Sequence, residues 1–156
     1  MGTDIHCFVE CKDKKTGKWF LANPAFPNSK WGTDGWNPSD GAFNYRNYDL
    51  FSILAGVRGP YRPMNDPCGV PNDMSDELQK IYDNDKDWCF GFTWYDLVDL
   101  RILFKEQEDK WGWEPNEYNP LHALANFMSI VEYISDMNGV FGYNTGEARV
   151  VMWFDC

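Results

Sequence analysis

The opening run TDIHCFVECKD alternates with a period of two, so Ile5, Cys7, Val9 and Cys11 share one face of a strand and Asp4, His6, Phe8 and Glu10 the other. The first face is core. The second is polar and either meets water or lines something. KKTGK reads as a turn and KWFLA as a returning strand, which predicts an N-terminal hairpin. At the far end, EARVVMWFDC predicts another strand, with Val150, Met152 and Phe154 facing one way and Arg149, Val151, Trp153 and Asp155 the other.

Between these strands the pattern turns helical. YDLFSILAG has Asn47 as its N-cap and Gly56 just past its end. DELQKIYDN is capped by Ser75, with Asp76 and Glu77 near its positive terminus. TWYD reads as a capping box opening WYDLVDLRILF, where Leu97, Leu100 and Phe104 fall on one side. A longer helix starts at Pro120, buries Leu121, Leu124, Met128, Val131 and Ile134, and ends before Gly139. The connections are unusual. Residues 22–47 are rich in Pro, Gly, Asn and Ser but carry Trp31, Trp36 and Phe43, which favours an ordered lid. VRGPYRPMNDPCGVPND is irregular, and KEQEDKWGWEPNEY reads as a solvated polar connection. The order β-β-α-α-α-α-β predicts an α+β fold. It consists of a small antiparallel sheet, made by the hairpin and the C-terminal strand, with helices mainly on one face and long aromatic-rich loops.

A chain of 156 residues is expected to form a single domain, 1–156, with a core that needs no staples. The net charge of −10 disfavours a nucleic-acid polymer as partner, although one small anion needs only a local cluster of positive charge. No apolar run approaches the ~20 residues of a membrane span, and no basic-then-apolar leader precedes GTDIH, so a cytoplasmic location is expected. The five cysteines lack paired spacing; five free thiols are expected.

Two groups of residues carry candidate chemistry. Asp4 and His6 are either a solvent-facing pair or a carboxylate orienting an imidazole. A mixed metal site with Asp155 is conceivable on residue type, but His122 is the only other histidine and has no HxxxH partner, so no metal is expected. The second group is NYRNYDLFSILAGVRGPYRP, where three of the five arginines (Arg46, Arg58 and Arg62) interleave with Tyr45, Tyr48 and Tyr61. Arginine offers a planar fork for phosphate and tyrosine a face for a base; the alternative is ion pairing with surplus carboxylates. The lysines at 12, 14, 15 and 18 crowd the hairpin tip, where they serve solubility. There is no Gly-rich phosphate loop, GxSxG or HExxH, and Cys89 has no histidine near it in sequence.

Four blocks, GTDIHxFVE, RNYDLFSILAGVR, GVPNDMS and RVVMWFD, resemble a family of small uncharacterised proteins carried by bacteriophages and prophages. The resemblance implies phage origin and a bacterial host cytoplasm, and no activity. Family members often carry an arginine before the Gly of the third block, where this chain has Cys68. They also carry histidines before a Ser-Trp, where this chain has CFGFTW and keeps only Trp94. Those missing imidazoles favour binding over chemistry. The expectation is therefore a phage protein that sequesters a small anionic nucleotide-like molecule, such as a host immune signal. Asp4, His6, Arg46, Tyr48, Arg58, Tyr61 and Asp155 would line the site beneath the 22–47 loop, with no cofactor. The alternatives are a hydrolase of such a nucleotide, with His6 as acid or base, Asp4 beside it and Arg58 on the phosphate, and an acidic inhibitor of a host protein. A homo-oligomer is compatible with each.

Overall fold

The structure, a computed structural model, describes residues 2–22, 43, 45–63, 65–112, 120–140 and 145–156. The predicted lid at 22–47, with Trp31 and Trp36, thus lies almost wholly outside the described residues. The elements are β1 (Ile5–Asp13), β2 (Trp19–Leu21), α1 (Tyr48–Ala55), α2 (Asp76–Asp85), β3 (Phe90–Asp96), α3 (Leu97–Trp111), α4 (Pro120–Val140) and β4 (Thr145–Phe154). The strands form one antiparallel sheet in the order β2-β1-β4-β3, as an α+β fold requires. The N-terminal hairpin and the C-terminal strand pair as expected, with His6 opposite Trp153 and Glu10 opposite Arg149.

The caps form as the sequence predicts. Asn47 accepts from the Leu50 N–H, Gly56 ends α1 in the left-handed region at φ 70°, and Ser75 accepts from the Leu78 N–H. Three boundaries differ. The segment read as the start of a helix at TWYD is a strand through Asp96, and Asp96 rather than Thr93 caps α3, accepting from the Asp99 N–H. Phe90, Phe92 and Trp94 alternate with Gly91, Thr93 and Tyr95, and pairing with β4 outweighs the local capping signal. Helix α3 then runs on through the supposed polar connection to Trp111, because Leu103 and Gln107 continue its buried side. Helix α4 passes Gly139 to Val140, and its buried stripe includes Phe127 more fully than Met128. A single glycine costs a helix only about 1 kcal/mol.

Helices α1, α3 and α4 cover one face of the sheet, on Ile5, Cys7, Val9, Cys11, Val150, Met152 and Phe154. The other face has its own smaller core. Phe8, Val151 and Trp153 are fully buried there against Leu78 of α2. The face that reads as polar is therefore apolar at its centre and polar at its two ends. No helix among the described residues is long and apolar enough to cross a membrane.

Candidate functional site

The two polar ends of this second face hold different constructions. At the first, the GTDIH block meets α1 and the C-terminus. The Thr3 N–H donates to the Tyr48 hydroxyl at 3.1 Å, and Thr3 Oγ1 accepts from Arg58 Nε at 2.8 Å. Asp4 Oδ1 accepts from Arg46 Nε at 2.8 Å and Nη2 at 2.7 Å. The Arg46 guanidinium lies so close over Gly2 that a Cβ there would overlap it. Asp155 closes the group: its carboxylate accepts from the Asp4 N–H and from His6 Nε2 at 2.9 Å, while its own N–H donates to the Asp4 carbonyl. That bond places a proton on Nε2 of His6, whose ring meets Trp88 edge-on at 5.8 Å. Arg58 adopts φ 65°, a left-handed conformation that costs a non-glycine residue about 1 kcal/mol and is held here by its bond to Thr3.

Asp4, His6, Arg46, Tyr48, Arg58 and Asp155 are therefore brought together at one end of the sheet. Tyr61 goes elsewhere, with its ring against Trp111 at 5.3 Å. Most polar groups of this cluster bond one another, so its evident task is to clasp the N-terminal segment to α1 and to the C-terminus.

The other polar end was not singled out from the sequence. Arg149 and Glu10 sit opposite each other in adjacent central strands, only 3% and 0% exposed. Glu10 Oε1 accepts from Arg149 Nε at 2.9 Å and Nη2 at 2.8 Å, and Glu10 Oε2 accepts from the Ser75 N–H at 2.7 Å. Arg149 also donates to Asp73, through Nη1 to the carboxylate at 2.7 Å and through Nη2 to the carbonyl. Its guanidinium lies 3.8 Å from the centre of the Trp19 ring and 5.6 Å from that of Trp94. The Trp19 indole N–H completes the frame by donating to Asp73 at 3.1 Å. A signal was present: Glu10 and Arg149 each stand next to apolar runs of a central strand, Phe8–Val9 and Val150–Trp153, where a charge persists only if paired.

Above this frame opens a cleft of about 920 Å³. Trp19, Trp94 and Arg149 line it, together with the Val70–Asp73 segment, the start of α3 from Asp96, Arg101, and Lys12 with Glu147. Its charges balance, with Lys12, Arg101 and Arg149 against Asp73, Asp96 and Glu147. A second cleft of about 650 Å³ separates Phe43, Tyr45 and Asn47 from Ala123, Asn126 and Ile130 of α4. Among the described residues, no three His, Cys, Asp or Glu side chains are placed to hold a metal ion. None of the five cysteines forms a disulfide; burial pushes the Cys89 thiol up to about 12, aided by Asp85 and Asp155, and raises that of Cys7 further. Cys68 lies against Thr93 and the Trp94 carbonyl.

Burial pushes the Asp73 carboxyl upward, but the hydrogen bond and charge of Arg149 and the Trp19 N–H outweigh it and hold the group below its ordinary 3.8. A depressed folded-state value contributes stability that is complete above the unfolded value and is lost as pH falls through the folded one. Because the side chain is 59% exposed, that contribution is at most about 1 kcal/mol. Urea titrations at pH 7 and pH 3 are expected to show Asp73→Asn slightly less stable than the parent at pH 7, and the gap narrowing at pH 3.

Compared with known proteins, the chain matches no family model, no curated protein and no solved structure.

Proposed function

We propose that the protein binds and holds a nucleotide-like small molecule in the cleft between Trp19, Trp94 and the start of α3. The observation that carries this reading is the ring-lined floor: Trp94 borders the cleft beside a guanidinium already fixed by Glu10, Asp73 and Trp19. Such a floor is preorganised, so a planar ring can stack there without first ordering the side chains beneath it. The volume falls in the usual range of small-molecule sites, ~300–1,000 Å³. Lys12 and Arg101 line the walls, each beside a carboxylate, Glu147 at 3.6 Å and Glu132 at 2.9 Å, with which a phosphate would compete. Binding without turnover is favoured because the described residues of the lining include no histidine or cysteine for acid–base or nucleophilic work. In the bacteriophage setting that the four sequence blocks suggest, holding such a molecule would sequester a host signal.

The test is titration calorimetry with nucleoside monophosphates and cyclic dinucleotides, followed by heat denaturation and analysis of the released molecule. At least one is expected to bind and to return intact. Trp94→Ala is expected to weaken it by about 1–3 kcal/mol, the usual worth of one stacked base. Absence of binding across the panel would remove this reading. Recovery of a cleaved molecule, with cleavage lost in His6→Ala, would make the protein a hydrolase working at the His6–Asp155 pair instead.

A further inference from the structure

The cleft's hydrogen-bonding groups are not equally committed, and this says which base the site would take; the inference rests on the reading of the cleft as a nucleotide site. Asp73 uses both carboxylate oxygens, one for Arg149 and one for the Trp19 N–H. Glu147 faces Lys12 at 3.6 Å and is 63% exposed, on the rim. Asp96 differs. Its Oδ1 caps α3 through the Asp99 N–H at 2.7 Å, and among the described residues nothing donates to its second oxygen. Trp94 and Asp96 stand two residues apart on β3, so both side chains project from the same face of the sheet, and both line the cleft. A ring stacked on Trp94 would thus present its edge to a carboxylate.

From that juxtaposition we infer that the cleft selects a guanine nucleotide, the base stacked on Trp94 and its N1–H and 2-amino edge donating to Asp96. A carboxylate accepts only, and the free oxygen together with the remaining lone pair of Oδ1 matches two adjacent donors. Guanine offers such a pair. Adenine turns an acceptor nitrogen toward the same place, and hypoxanthine keeps one donor of the two. The start of α3 would ordinarily attract an anion, but Asp96 and Asp99 already occupy that first turn, so the phosphate belongs at the other side of the cleft. Lys12 is there: β1 and β3 flank β4, and Lys12 falls level with Glu147 while Asp96 pairs with Arg149, so the two lie two strand spacings across the sheet and two residues along it, about 12 Å apart. That separation is comparable to the reach from a purine's edge to its 5′-phosphate.

The experiment titrates the full chain and its Asp96→Asn variant with GMP, IMP and AMP. Asparagine caps a helix as well as aspartate does, so the variant keeps α3 while losing the carboxylate. The parent is expected to bind GMP at least about tenfold more tightly than AMP, with IMP between them, since each charge-assisted bond is commonly worth about a factor of ten. In Asp96→Asn the preference is expected to vanish while some binding persists through stacking. Binding of all three without preference, a preference for AMP, or a GMP preference that survives in Asp96→Asn overturns the guanine assignment and leaves the nucleotide reading standing. Failure of all three, and of the wider panel, to bind overturns both.

Discussion

Replacing Arg149 with methionine is expected to destabilise the protein by roughly 3–5 kcal/mol, the usual cost of leaving a buried charge without its partner. Glu10 is fully buried and would keep only the Ser75 N–H. The Val70–Asp73 wall of the cleft would also lose both of its bonds from Arg149. Urea denaturation measures the loss, and hydrogen exchange is expected to quicken in residues 70–75. The companion variant, Glu10→Gln with Arg149→Met, removes the stranded charge and keeps an acceptor for Ser75. It is expected to recover most of the lost stability, because well-packed apolar replacements of buried ion pairs are often neutral. It is not expected to recover the cleft, whose floor needs the guanidinium held against Trp19. A single variant within about 1 kcal/mol of the parent would show that Glu10 finds water or a proton instead.

The second large effect is expected at Trp153. Its indole is fully buried, packs on Phe8 with ring centres 4.9 Å apart, touches Phe92 and Tyr82, and donates to Asp85 at 2.9 Å. Trp153→Ala is expected to cost about 3–5 kcal/mol through lost burial and the cavity left behind. The loss should be uneven. The core under α1, α3 and α4 does not depend on Trp153, so amides of α2 should lose exchange protection before those of α4. Trp153→Phe, which keeps much of the packing but strands Asp85, is expected to fall between the parent and the alanine variant. Equal loss of protection in both layers would mean that the two cores unfold as one unit.

Local sequence determined a good deal of this protein. The alternation in TDIHCFVECKD and EARVVMWFDC is strong enough to specify both central strands, because a one-residue slip would move Ile5, Cys7, Val9 and Cys11 off the face under α1, α3 and α4 and put Asp4, His6 and Glu10 in their place. Asn47, Gly56 and Ser75 set helix ends by bonds spanning a few residues, so their effect is visible without the rest of the chain. The convergence of Asp4, His6 and Asp155 follows from pairing the N-terminal strand with the C-terminal one, which the pattern already suggested.

Only the tertiary structure decided the rest. Whether TWYD opens a helix or ends a strand depended on β4 being alongside, since pairing across that edge exceeds what one capping box contributes. Phe8 and Glu10 lay on a face that reads as polar. Their burial depended on α2 and the Val70–Ser75 segment returning over the sheet from more than sixty residues away. The cleft follows from the same event. Glu10, Trp19, Asp73, Trp94 and Arg149 come from five separate stretches, and no two of them have a spacing that marks them as partners. Periodicity reports which side of its own element a residue faces. What faces it there is decided by long-range packing, and in this chain the candidate site was built by that packing.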